Sequence, residues 1–139
     1  MFKLKKEIII TVLVFCFLTF AIIISIRLVY KNYKKDRLLL NGKILCAQIM
    51  SASINYYRNN GKYLITDKVS FNDDLIDART NPYFSIFSTY PINEKTQGIS
   101  VFGTVEGTDY ELKLVFNKND EPQPLKKLKI QTIKHKKQK

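Results

Sequence analysis

The run IIITVLVFCFLTFAIIISI begins at Ile8 and ends at Ile26. Its nineteen residues contain no charge, no Pro and no Gly, and their only polar interruptions are Thr11, Thr19 and Ser25. A helix rises about 1.5 Å per residue, so the run spans about 28 Å, close to the roughly 30 Å hydrocarbon thickness of a bilayer. Its β-branched content also suits a buried strand, but strands of this length are rare and no turn residue breaks it. The core helix of a soluble protein needs a polar face, which this run lacks. A cleaved secretory signal is the remaining competitor. Lys3, Lys5 and Lys6 supply its basic head, yet the apolar part exceeds the usual seven to fifteen residues, and no small-x-small site comes after Ile26. The reading is an uncleaved, single membrane-spanning helix with Ile8 and Ile26 as its bounds, and the lipid bilayer as its first partner.

Charge is distributed around this anchor. The chain of 139 residues carries a net +11. Residues 1–43 hold +7, residues 44–124 hold −3, and residues 125–139 hold +7 with no acid at all. The middle, where a folded domain would lie, is mildly acidic, which argues against a nucleic-acid-binding domain, since that footprint belongs on the folded face. Directly after the anchor comes a basic collar: Arg27, Lys31, Lys34, Lys35 and Arg37 among Leu28, Val29, Tyr30 and Tyr33. Tyr, Lys and Arg are the residues an emerging helix places at headgroup level.

Beyond the collar, Leu40, Ile44, Ala47, Met50, Ile54 and Tyr57 recur at steps of three and four, the stripe of an amphipathic helix. Gly42 weakens that helix by about 1 kcal/mol relative to Ala and would mark a bend. Asn59-Asn60-Gly61 supplies the left-handed stop. No Pro occurs before Pro82, so one helix from about Glu7 to Asn60 is expected.

Residues 61–97 read as an aromatic-rich connector. Asn72 or Asp73 would cap a short turn through Leu75-Ile76-Asp77-Ala78, and Asn81-Pro82 and Tyr90-Pro91 would mark turns. Some of its rings should cover the helix stripe. A hairpin comes next. Ile99, Val101, Gly103 and Val105 alternate, then Tyr110, Leu112, Leu114 and Phe116, around the four-residue loop Glu106-Gly107-Thr108-Asp109. Leu128, Ile130 and Thr132 alternate with Lys127, Lys129 and Gln131 as a third, basic edge strand. The expected organisation is therefore a short basic N-tail (1–7), the span (8–26), an amphipathic continuation (27–60), the connector (61–97), an antiparallel meander (98–133) and a frayed basic tail (134–139). The fold class is α+β.

That outline resembles the type IV pilins and the pseudopilins of type II secretion. The stretch Ala52-Ser53-Ile54-Asn55-Tyr56-Tyr57-Arg58-Asn59-Asn60-Gly61-Lys62-Tyr63 is similar to the family's helix end, a Tyr pair, an Asn-Gly stop and a Lys-Tyr pair. Residues 98–105 with 109–117 are similar to its central hairpin. The family's cleavage signal, a Gly before the cut and then Phe-Thr-Leu-Ile-Glu, is not matched: Phe2-Lys3-Leu4-Lys5-Lys6-Glu7 has no preceding Gly and one residue more between Phe and Glu. Under the resemblance, Glu7 is the acid at the head of the helix that meets the free amine of a neighbouring subunit. Read from the residues alone, it is an acid favoured by a helix N-terminus beside three lysines. The resemblance also implies a filament or pseudopilus subunit of the bacterial inner membrane, with its C-terminal domain outside and other pilin-like subunits as partners. The charges flanking the span lean the other way, toward a cytoplasmic domain.

No catalytic set assembles in the sequence. The single His, His135, falls among tail lysines, leaving no placed base for a Ser or Cys nucleophile. Asp73, Asp74 and Asp77 suit the first turn of a short helix. Asn117, Asn119, Asp120 and Glu121 lack the glycine and spacing of a calcium loop. Cys16 and Cys46, thirty residues apart on one helix, would lie about 45 Å from each other, beyond disulfide reach, and with one His they make no zinc set. No cofactor, metal or enzymatic activity is expected. The alternative to a structural subunit is a membrane-tethered binding module whose small β-domain or lysine-rich C-terminus captures a polyanion such as DNA, polysaccharide or lipid.

Overall fold

The structure is a computed structural model that describes residues 2–70, 81, 83–119, 121 and 123–136, with backbone alone for residues 2–4 and 66–70. Among the described residues, helix α1 (Phe2–Asn60) is followed by five strands: β1 (Thr66–Ser70), β2 (Ile86–Pro91), β3 (Thr96–Val105), β4 (Thr108–Asn117) and β5 (Gln131–His135). The chain divides into two compact units, residues 1–36 and 37–139. In the first unit the apolar run is helical throughout and every residue from Lys5 to Lys34 is exposed.

The second unit is the α+β head. Its strands form one antiparallel sheet in sequence order, β1-β2-β3-β4-β5, a meander in which each strand pairs with the next. Alternation along β3 and β4 produces its packed face. Phe87, Ile99, Val101, Val105, Tyr110, Leu112, Leu114 and Phe116 are buried together against Leu38, Leu45, Cys46, Ile49, Met50 and Ile54 of α1. Each Leu or Ile so buried contributes about 1.5–3 kcal/mol.

The helix meets the sheet along a stripe rotated from the one expected. Met50 and Ile54 belong to it, but Leu40 and Ile44 are exposed, while Leu38, Leu45, Cys46 and Ile49 are buried. Gly42 explains the rotation. An added Cβ there would lie 2.6 Å from Leu112 Cδ1 and 2.9 Å from two ring carbons of Phe84, so the missing side chain lets the sheet and the aromatic segment come close against the helix. Phe84 is thus one of the expected covering rings. The helix ends as its sequence indicates: Gly61 takes φ +63° and its N–H donates to Tyr57 O at 2.8 Å, the single-bond left-handed cap.

Several boundaries differ from those expected. The segment 61–97 is not merely a connector, because it contributes β1 and β2. The hairpin loop is two residues, not four: Glu106 (φ 50°) and Gly107 (φ 77°) both sit left-handed, the turn whose twist matches its strands, while Thr108 and Asp109 already pair with Val105 and Thr104. Tyr90 and Pro91 end β2; the turn comes after them, with Asn93 Oδ1 accepting from the N–H groups of Lys95 and Thr96 at 2.9 and 2.8 Å. Leu128 and Ile130 pack against the core but precede β5, which starts at Gln131. Lys134 and His135 therefore belong to a strand and not to a frayed tail. Asn81 does organise a turn, its Oδ1 accepting from the N–H groups of Tyr83 and Phe84 at 3.2 Å each. The expected turn through residues 72–78, with Asp73, Asp74 and Asp77, lies outside the described residues, as do Pro82, Asp120, Pro122 and residues 137–139.

Candidate functional site

Among the described residues, chemistry concentrates at four places, of which the first is the span. Residues 8–26 present only apolar side chains and three hydroxyls, and every hydroxyl is turned onto the helix's own backbone. Thr11 Oγ1 donates to Glu7 O at 2.9 Å, Thr19 Oγ1 to Cys16 O at 2.8 Å and Ser25 Oγ to Ala21 O at 2.9 Å. An unsatisfied polar group in hydrocarbon costs several kcal/mol, so this arrangement suits the run to lipid. Among the described residues, α1 is the one helix long and apolar enough to cross a bilayer. Glu7 stands exposed at the head of the run, one turn below Thr11, beside Lys5 and Lys6, which are also exposed.

The sheet's outer face is the second place. Ile86, Phe102, Glu111 and Ile133 lie in one cross-strand row, and Thr104, Asp109 and His135 in another. Glu111 is buried, and its carboxylate is met from two sides: Lys113 Nζ at 3.3 Å on Oε1 and His135 Nε2 at 3.1 Å on Oε2. Asp109 Oδ1 accepts from Thr104 Oγ1 at 2.6 Å. The histidine that the sequence assigned to a tail is thus an edge-strand residue held by an acid two residues beyond Asp109. Its signal was the isolated Ile133 between polar neighbours, too short a pattern to read.

At the far end of the head, Lys118 projects over two rings, its Nζ 4.3 Å from the centroid of Tyr57 and 4.7 Å from that of Tyr63. The rings are 5.7 Å apart, and the Tyr63 hydroxyl donates to Asn93 O. This ties the helix end, the segment after it, the β2–β3 loop and the end of β4 into one clasp, with attraction of the ammonium to the ring faces as its source. A side-chain hydrogen bond to Tyr57, and behind it one to Tyr63, pushes the Lys118 ammonium above its ordinary pKa. So Tyr57 and Tyr63, both in the stretch quoted for the helix end, serve a packing junction. Asn117 Oδ1 accepts from the Asn119 N–H at 3.0 Å, an ordinary polar turn.

The thiols make the fourth. Both cysteines are free, Cys16 exposed and Cys46 buried. Burial pushes the Cys46 thiol up to about 12, which marks an inert core sulfur. Among the described residues, no three His, Cys, Asp or Glu side chains come together as a metal site. Lys126, Lys127, Lys129, Lys134 and Lys136 are all exposed and are not gathered by any acidic partner into a shaped pocket among the described residues. Compared with protein-family models, curated proteins and solved structures, the chain matches none.

Proposed function

We propose that the chain is a membrane-anchored structural subunit of a type IV pilus-like or type II secretion pseudopilus-like assembly, held in a bacterial inner membrane by residues 8–26. The observation that carries this reading is the division of labour along α1. Its first part has no inward face at all, and its last part is sealed onto a sequential antiparallel meander. A soluble protein has no use for an exposed apolar run of this length; a subunit that first resides in lipid and then packs on neighbours uses it twice. Association in this scheme comes from van der Waals fit between helices leaving lipid, with a charge at the helix head setting the register. Glu7 fills that role, because it is the acid nearest the run and its side chain is exposed at the helix head.

The test is photo-cross-linking from single positions within 8–26 of the full-length protein in its native membrane. Self-cross-links or cross-links to other pilin-like proteins are expected, and Glu7→Ala should abolish them while the protein stays in the membrane through an alkaline carbonate wash. Release by carbonate would remove the anchor, and cross-links unchanged by Glu7→Ala would remove the role of Glu7.

A further inference from the structure

At the hairpin-turn end of the sheet a groove of about 530 Å³ opens between the segment before β2 and the strands β3, β4 and β5. That volume falls in the roughly 300–1,000 Å³ range of small-molecule sites. Two aromatic rings line it, Tyr83 and Phe102, each a little over one-third exposed, together with Ile86, the cross-strand partner of Phe102. Tyr83 is fixed there through its backbone. Its carbonyl accepts from the Thr104 N–H at 3.2 Å, its own N–H donates to Asn81 Oδ1 at 3.2 Å, and a Cβ at Gly103 would lie 1.9 Å from Tyr83 O. The polar part of the wall is equally well held. Thr104, Asp109 and His135 share one cross-strand row; Thr104 Oγ1 donates to Asp109 Oδ1 at 2.6 Å, and His135 Nε2 lies 3.1 Å from Glu111 Oε2. A carboxylate only accepts, so Nε2 carries the hydrogen, and Nδ1 of the neutral ring is an acceptor. Asp109 Oδ2 and His135 Nδ1, which take no part in these bonds, are the acceptors that the two residues have left to offer.

We propose that this groove is a binding site for a neutral saccharide, a pyranose ring alone or at the end of a chain. A pyranose has an apolar C–H face, slightly positive, and a rim of hydroxyl groups. The negative faces of Tyr83 and Phe102 suit the first, and the acceptors on Asp109 and His135 suit the second. Charge decides against the other ligand classes. Asp109 and Glu111 oppose an anion. Lys113, which meets Glu111, and Lys134 and Lys136, exposed on either side of His135, oppose a cation. A wholly apolar ligand would cover the acceptors and leave them unpaired, which is costly. The site lies within the head, so it depends neither on the span nor on filament assembly.

His135 is the only His in the chain, so its imidazole proton signals form a reporter already built into the wall. The full-length protein is held in a polyoxyethylene detergent, which carries neither sugar nor charge, and is titrated with the methyl glycosides of glucose, galactose, mannose and N-acetylglucosamine. At least one glycoside should shift the His135 signals saturably. Phe102→Ala, which removes a stacking face, and Asp109→Asn should each weaken that binding several-fold. The Asn side chain keeps an oxygen for Thr104, so the second variant tests the ligand contact and not the fold. Val115→Ala, on the same sheet face but outside the groove, should leave the binding unchanged. A titration in which no glycoside gives a saturable shift would overturn the site. So would a shift produced by choline or inorganic phosphate and by no glycoside, or glycoside binding that is unchanged in both Phe102→Ala and Asp109→Asn.

Discussion

At position 42 an added methyl would have to displace Leu112 and Phe84, both fully buried. Intrinsic helix preference favours Ala over Gly by about 1 kcal/mol, whereas overpacking a tight core costs about 1–3 kcal/mol. Packing is the larger effect. Gly42→Ala should therefore destabilise the head by about 1 kcal/mol in urea unfolding of the detergent-solubilised chain, against the helix scale, and a stabilised variant would show that the helix and sheet are free to separate. The same residue shows where a sequence misleads. Along the chain, Gly42 weakens a helix; across the fold, it is a point of close approach, and that depends on which residues lie opposite. Leu40 and Ile44 fitted helical periodicity as well as Leu38 and Leu45 did. Only the contact at Gly42 tells the two stripes apart.

Among the strands, legibility tracked the strength of the alternation. The hairpin of β3 and β4 was readable because ten-residue strands placed Ile99, Val101, Leu112 and Leu114 on one face without interruption. β1, with sequence TDKVS, has one apolar residue, and β2 ends in Pro91, so neither carries a period of two. β5 escaped for a related reason, its apolar content being Ile133 alone, and its place depends on a long-range partner. Glu111 provides that partner, joining Lys113 on its own strand and His135 on β5. Since Lys113 and His135 are partly exposed, water screens much of the pairing, and its worth is about 1 kcal/mol. Glu111→Gln should raise amide hydrogen exchange across Thr132–His135 several-fold while leaving β3 and the centre of β4 protected. Unchanged exchange in β5 would mean that backbone pairing alone holds that edge.

For the molecule as a whole, alkaline pH offers a readout of the core. The folded Cys46 thiol titrates near 12 against an ordinary value of 9.0 because burial penalises its thiolate. The folded chain thus keeps a proton that the unfolded chain releases. That contribution to stability is complete below pH 9 and is lost as pH rises from 9 toward 12, amounting to about 4 kcal/mol at most. Lys118, also raised, adds loss in the same direction. Unfolding midpoints should fall steeply over that range and less steeply in Cys46→Ala; equal slopes in both proteins would mean that the sulfur is reached by solvent. Within the span, Thr11, Thr19 and Ser25 have each given their hydroxyl hydrogen to their own helix, so the rod holds out no hydroxyl donor to a companion in the hydrocarbon. Any companion it finds there is selected by contour and by the ionic features at the two rims. The strength of pairing should therefore vary with the thickness of the surrounding bilayer, which sets how those rims line up.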